Sequence, residues 1–297
     1  MVSDFRYRRL GYVALNVSDM KRSIDFYETL LGLQAAGEAA NGEKLYRCSR
    51  RHHDIILHEG SEPGLRRVGW EMESAEDLQK IRSRLAAHGM ACVDVDPDEC
   101  ALLGVHDAFR TTEPHSGATF EYFCSFDEAD EPFEPTVAKI ARLGHIVLTV
   151  PNHAEAEKFF LDVLNFRASD RIEGAVTFMR CFPNPLHHSL GLSAGKEAHL
   201  PEISLKLLDW IAETSQGAEG TERGSQAALR AVVSFMREAP RLQVLTAVSF
   251  CLLDRMSPLS GASKLAPDCA DAWVKQFQSM RGASPRVAGL KAVLAKQ

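Results

Sequence analysis

The chain repeats itself at a fixed offset. The segment 10–17 reads LGYVALNV and the segment 143–150 reads LGHIVLTV, so the offset in sequence number is 143 − 10 = 133. The same offset joins FY at 26–27 to FF at 159–160, and LYRC at 45–48 to FMRC at 178–181. Three matched segments at one spacing indicate an internal duplication. We therefore expect two copies of one module.

Each copy opens with a strand followed by a helix. The β-rich segment 10–17 ends at Ser18-Asp19, a typical helix N-cap, and Gly32 ends the helix where a left-handed residue is favoured. In the second copy Asn152 takes the cap position and Asn165 takes the place of Gly32. Strands near residues 44–48 and 54–58 follow in the first copy, so the unit is a strand, a helix and then several strands.

A second unit of the same kind follows within the first half. Residues 68–72 form a predicted strand, Ser74 opens a helix, and Gly89 closes it. Strands near 92–95 and 119–124 complete this unit. The whole pattern predicts an α+β fold of tandem βαβββ units, with two units in each module.

The last third of the chain departs from the repeat. No Tyr follows Tyr122 and no Glu follows Glu238, and residues 226–238 and 271–280 are typical of helices. The last unit is therefore predicted to be degenerate and helical or irregular. The predicted domains are an N-terminal module (1–126), a linker (127–139), the start of a C-terminal module (140–203) and a divergent C-terminal region (204–297).

Composition limits the function classes. The formal net charge is −6 and no dense Lys/Arg run occurs, which argues against nucleic acid or an anionic membrane as the main partner. The seven cysteines are scattered without a Cys-x-x-Cys pair, as in reduced cytosolic proteins. No signal-peptide pattern or membrane-length apolar stretch is present. We expect a cytoplasmic protein, and one that forms a homo-oligomer.

One difference inside the repeat concerns chemistry. Where the first copy has Tyr12, the second has His145, a residue type that can bind a metal. The pair His52-His53 returns as His187-His188, at an offset of 187 − 52 = 135. For each histidine the alternative is a structural role: a core position for His145, and a strand edge at the surface for His188, as for His52 and His53.

These segments resemble the vicinal oxygen chelate superfamily, which includes glyoxalases, bleomycin resistance proteins and dioxygenases. Within it, residues 8–200 are most similar to the type I extradiol dioxygenases, which cleave catechol rings. The resemblance rests on the strand LGHI at 143–146 and on the segment CFPNPLHHSLGL at 181–192. It implies two vicinal-oxygen-chelate modules, of which only the second binds metal.

The resemblance implies an Fe(II) site that takes a small aromatic diol and O2, as in aromatic hydrocarbon catabolism. The family's strand-leading metal histidine matches His145, and its acid–base histidine matches His188. Its second metal histidine falls near Glu202, for which an exposed loop position beside Pro201 is the alternative. Its third ligand is a Glu on the module's last strand. No Glu is available there, and Asp254 is a weak substitute.

Three functions stay open on the sequence. The first is an extradiol dioxygenase whose activity is impaired by the missing third ligand. The second is a non-catalytic small-molecule binding or dimerisation protein with the same shell. The third is a glyoxalase-like metal enzyme.

The divergent segment also permits a hypothesis about its origin. Residues 254–263, back-translated and read two bases along, permit PDVTLEWSF, which resembles the family's glutamate-bearing strand. Residues 235–241, read one base along, permit GRHPAS, which resembles the preceding loop. Residues from about 204 to 263 would then be out of frame relative to an ancestral dioxygenase.

Overall fold

The structure of the protein, a computed structural model, describes residues 5–39, 41–134, 136, 140–173, 175–196, 199–207 and 245–247. For residues 199–207 and 245–247 it describes the backbone only. The helices are α1 (Met20–Ile24, continued by π-helical turns over Asp25–Leu30), α2 (Ala75–Ala87), α3 (Pro97–Leu103) and α4 (His153–Asp162). The strands are β1 (Tyr7–Val17), β2 (Gln34–Glu38), β3 (Lys44–Arg47), β4 (Ile55–Glu59), β5 (Gly64–Met72), β6 (Val93–Asp94), β7 (Val105–Thr112), β8 (Thr119–Phe126), β9 (Ile140–Val150), β10 (Phe166–Ile172), β11 (Val176–Cys181), β12 (Leu190–Ala194), β13 (His199–Leu207) and β14 (Leu245–Ala247).

Module one is a sheet of eight strands built from two βαβββ units. The strand order is β2-β3-β4-β1-β5-β8-β7-β6. In each unit the first strand pairs in parallel with the last one, β1 with β4 and β5 with β8. The two first strands, β1 and β5, pair antiparallel at the centre. This arrangement confirms the predicted α+β fold of repeated units.

Module two follows the same scheme, with strand order β10-β11-β12-β9-β13-β14. Strand β9 pairs in parallel with β12 and antiparallel with β13, and β13 pairs in parallel with β14. The repeat offsets reappear in the residue numbers at which the strands begin. The first residues of β9 and β1 are 140 − 7 = 133 positions apart, and those of β13 and β5 are 199 − 64 = 135 positions apart.

The fourth unit therefore begins as a strand, and β13 runs across the predicted boundary between residues 203 and 204. Strand β14 lies where β8 lies in module one. The predicted helices at 226–238 and 271–280 lie outside the described residues.

Local signals set the ends of the helices as predicted. The side chains of Asp19, Ser74 and Asn152 each accept a hydrogen bond from a backbone N–H in the first turn of their helix. Gly32 (φ 74°) and Asn165 (φ 57°) both adopt the left-handed conformation after the first helix of their module. Asn165 is the better anchored of the two, because its Nδ2 donates to the Phe5 carbonyl at 2.6 Å.

The two modules share a core of aromatic side chains. Phe166 of module two packs against Tyr7 and Trp70 of module one, with ring centroids 5.3 and 5.1 Å apart. Phe160 packs against Phe120 across the same boundary at 6.1 Å. Each of these side chains is at most 1% exposed. Burial of such large apolar surfaces fixes the position of one module against the other.

Two sequence-based expectations about the chain's environment can be compared with the described residues. Every cysteine among them is a free thiol, namely Cys48, Cys92, Cys100, Cys124 and Cys181. Within the same residues, no helix combines the length and the apolar character needed to cross a membrane.

Asn165 provides a test of how the modules are joined. Asn165→Ala removes the hydrogen bond to Phe5 and forces alanine into a left-handed conformation, so we expect a loss of about 2 kcal/mol in the free energy of unfolding. Asn165→Gly keeps the backbone relaxed and should lose only about 1 kcal/mol. Urea unfolding of both variants makes the comparison. Equal losses would show that the left-handed backbone contributes nothing.

Candidate metal site

His145 and His188 come together in module two. His145 lies on β9 and His188 lies in the loop before β12, and each is 4% exposed. Their ring centroids are 4.2 Å apart, with an angle of 47° between the planes. The structure thus places side by side the two histidines that the sequence singled out.

The loop that carries His188 is held by the first strand of module one. Asn184 Nδ2 donates to the Arg8 carbonyl at 2.8 Å, and Asn184 Oδ1 accepts from the Leu186 N–H at 3.0 Å. The Tyr7 N–H donates to the Phe182 carbonyl at 2.9 Å. Because the bonds to Arg8 and from Tyr7 cross between the modules, module one has a direct part in placing His188.

Neighbouring rings orient His188 further. Its Nδ1 lies 2.9 Å from Nδ1 of His187, so one of the two nitrogens donates and the other accepts. The Phe178 ring also packs against His188, with ring centroids 5.0 Å apart. His188 is therefore buried among aromatic rings, and the strand-edge alternative at the surface is wrong for it.

Glu202 lies on β13, not in an exposed loop. In the pairing of β13 with β9, Ser204 lies opposite His145 and Glu202 lies opposite Val147. Residues two apart on a strand share a face. The backbone therefore places Glu202, Ser204 and His145 on one face of the sheet.

Module one shows the same arrangement with its side chains described. Tyr12 lies opposite Gly69 on β5, as His145 lies opposite Ser204. The His53 ring lies 4.7 Å from that of Tyr12, and its Nδ1 lies 3.1 Å from Nδ1 of His52. The geometry of His145, His187 and His188 is thus reproduced by their counterparts in the first copy of the repeat.

The counterpart of Glu202 is Arg67, since 202 − 135 = 67. Arg67 Nε donates to the Tyr12 hydroxyl at 2.7 Å, and the hydroxyl donates to Glu121 on β8, also at 2.7 Å. In module one, side chains at these three positions therefore meet on one face. The backbone register places the corresponding positions of module two on one face as well.

The strand register also identifies the counterpart of Glu121 in module two. In module one Glu121 lies opposite Gly69, and in module two Ala247 lies opposite Ser204. Ala247 thus stands where module one has its carboxylate, and alanine has no ligand atom. Among the side chains that the structure describes, no three His, Cys, Asp or Glu residues form a metal-binding group. Asp254 lies outside the described residues.

His53 corrects the expectation of a histidine at the surface. It is fully buried between Tyr12 and Phe126. Burial lowers the pKa of His53 well below 6.5, and His52, Arg67 and Arg51 lower it further. His53 is therefore neutral in the folded protein at neutral pH.

Comparison with known proteins identifies the family. The sequence model of the Glyoxalase/Bleomycin resistance protein/Dioxygenase superfamily matches residues 9–122 and 142–239. This chain belongs to that superfamily. The two matched segments correspond to the two modules, which confirms the resemblance found in the repeat. The second match extends beyond residue 204, into the segment considered for a change of reading frame.

Curated relatives include extradiol dioxygenases. The chain is 30% identical over 201 residues to a biphenyl-2,3-diol 1,2-dioxygenase of Metapseudomonas furukawaii. The match covers 63% of this chain and 65% of the relative. It is 28% identical over 201 residues to an iron-dependent extradiol dioxygenase of Rhodococcus jostii. That match covers 62% of this chain and 66% of the relative. The chain thus spans just under two thirds of the length of these relatives.

Solved structures with the same fold include enzymes with different chemistry. A halotolerant catechol dioxygenase matches with a TM-score of 0.66 at 22% identity, over 76% of each chain. A Mn(II)-bound glyoxalase from Novosphingobium aromaticivorans matches with a TM-score of 0.64 at 24% identity, over 76% of this chain and 71% of that one. These matches show the superfamily's fold.

The buried His53 makes stability depend on pH. An unfolded chain binds a proton at this histidine below about pH 6.5, while the folded chain does not, so stability should fall as the pH falls from about 7 to 5. This histidine can change the free energy of unfolding by at most about 1.4 kcal/mol per pH unit. His53→Gln should flatten the slope, measured by urea unfolding across this range. His106→Gln, at an exposed histidine, is the control, and an unchanged slope in His53→Gln would contradict the assignment.

Proposed function

We propose that the protein is an extradiol-type dioxygenase that binds a catechol-type aromatic diol and O2 at a single Fe(II) site in module two. The observation that supports this most strongly is the buried pair His145–His188, at 4.2 Å between ring centroids, on the module whose counterpart has Tyr12 instead. The named activities of the relatives support the choice of reaction over a glyoxalase-type isomerisation.

His145 and Glu202 would hold the metal. An imidazole and a carboxylate on adjacent paired strands suit a non-haem Fe(II) site with open positions. The residues present fit two of the three ligand positions, because Ala247 supplies no donor at the third. When bound, Fe(II) would provide the redox chemistry that joins a diol to O2. With two protein ligands, we expect the metal to bind more weakly than in a complete site.

His188 would move a proton. Its Nδ1 is engaged with Nδ1 of His187, so the exchange with a diol hydroxyl would take place at Nε2. A neutral imidazole can accept a proton from a diol hydroxyl and later return it. The Phe178 ring packs beside His188, which is itself only 4% exposed. His145 and Glu202 would thus bind the metal, and His188 would transfer the proton.

A second candidate is a binding protein that retains the modules without chemistry. The observation that favours it is Ala247 at the third ligand position, because loss of a carboxylate is how such a site would lose its metal. The two candidates differ in whether Fe(II) binds at His145.

Anaerobic Fe(II) titration of the full chain tests the first candidate. We expect about one Fe(II) per chain, and at least about 100-fold weaker binding in His145→Ala, because loss of a group that only supports a ligand already costs 10–100-fold. His188→Ala should keep the metal and lose ring cleavage. His106→Ala controls for adventitious binding by an exposed histidine. Equal binding by His145→Ala and the unmodified protein would overturn the proposal.

The register of β14 gives a gain-of-function prediction. Ala247→Glu should restore the third ligand and raise the Fe(II) affinity at least about tenfold. Thr246→Glu is the matched control, since neighbouring residues on a strand lie on opposite faces. Both variants would be titrated with Fe(II) after circular dichroism shows that they fold. If the two substitutions change the affinity alike, position 247 is not the ligand position.

A further inference from the structure

The interior of module one holds an unusual set of charges at the place that corresponds to the metal site. Glu121, Glu43 and Arg67 are each at most 3% exposed, and Tyr12 is fully buried. Ionised side chains are almost never buried in this way unless they are paired. Here the charged side chains pair with one another inside the module.

Arg67 lies at the centre of the cluster. Its Nη1 and Nη2 donate to the two oxygens of Glu43 at 3.2 and 3.1 Å, and its Nε lies 3.6 Å from Glu121 Oε2. Tyr12 bridges Arg67 and Glu121 with two hydrogen bonds of 2.7 Å. Burial lowers the pKa of Arg67, but Tyr12, Glu121 and Glu43 outweigh it and raise the pKa above its usual value. The guanidinium is therefore held in its charged form.

The charges of the whole cluster balance. Arg66 donates to Glu43 at 2.7 Å, and Arg110 donates to Glu121 at 2.8 Å and to Glu99 at 2.6 Å. The three arginines Arg66, Arg67 and Arg110 thus face the three glutamates Glu43, Glu99 and Glu121. Of the arginines only Arg67 is fully enclosed, since the side chains of Arg66 and Arg110 are 34% and 26% exposed.

We propose that the Arg67 guanidinium is the built-in cation of module one, and that it occupies the place that corresponds to the proposed metal position of module two. The positions correspond through the repeat: Tyr12 to His145, Arg67 to Glu202 and Glu121 to Ala247. Module one thus contains both a buried carboxylate and a covalently attached cation that pairs with it. The charge pairing of Arg67 rests on described side chains of module one, and the comparison with a metal position rests on the proposed function.

A double-substitution cycle on the full chain tests this. Arg67→Met leaves a buried negative charge, so its melting temperature should fall by about 6–20 °C. Arg67→Met combined with Glu121→Gln restores neutrality and should recover at least about half of that loss. Arg66→Met removes the same charge from the neighbouring, more exposed residue and should cost much less. If Arg67→Met fails to fold, folding of the double variant still supports the proposal.

Chemical rescue tests the identity of the cation. Arg67→Ala leaves space beside Glu43 and Glu121, so millimolar guanidinium chloride should raise its melting temperature relative to NaCl of equal ionic strength. The unmodified protein and Arg67→Ala/Glu121→Gln should show no such rise. The proposal is overturned if Arg67→Met costs no more than Arg66→Met, if Glu121→Gln recovers nothing, or if guanidinium leaves Arg67→Ala unchanged.

Discussion

Antiparallel pairing between the first strands of consecutive units determines which side chains meet at the centre of each module. It puts Tyr12 opposite Gly69 in module one and His145 opposite Ser204 in module two. The last strand of the second unit, paired in parallel, then brings Glu121 or Ala247 to the same face. A shift of one residue in either pairing would turn these side chains to the opposite face of the sheet. The site therefore depends on register more than on any single residue.

The small residues at positions 69 and 204 belong to the same constraint. A Cβ on Gly69 would lie 2.3 Å from the Tyr12 ring, so glycine is required for the phenol to fill the centre of module one. Module two has the smaller imidazole of His145, and there a serine stands opposite. The size of the central side chain and that of its cross-strand partner thus change together between the modules.

The sequence predicted the parts of the fold that depend on local signals. The repeat, the caps at Asp19 and Asn152 and the left-handed Gly32 and Asn165 could all be predicted, because each signal is written directly in the order of neighbouring residues. Strand β7 was missed because its burial does not alternate cleanly. Helix α3 was missed although Asp96 and Pro97 form a typical helix start.

The candidate site likewise has a part that the sequence could predict and a part that it could not. The proximity of His145 and His188 could be predicted from the repeat and the family resemblance. The Arg67–Glu121 pair could not, because the two residues are far apart in the sequence and only the parallel pairing of β5 with β8 unites them. Ala247 could be assigned to the ligand position only through the same register in module two.

Module one keeps a polar centre inside its sheet, and the function proposed for module two would give that module a polar centre of a second kind. A buried carboxylate needs a cation, and the cation is either a side chain of the protein or a bound ion. Module one contains its own cation in Arg67, so it is complete without a ligand and can act as a rigid support. That support extends to the other module, because β1 also fixes the loop of His188 through Asn184 and Phe182. A module with no proposed metal site thus has a structural part in the candidate site of the other module.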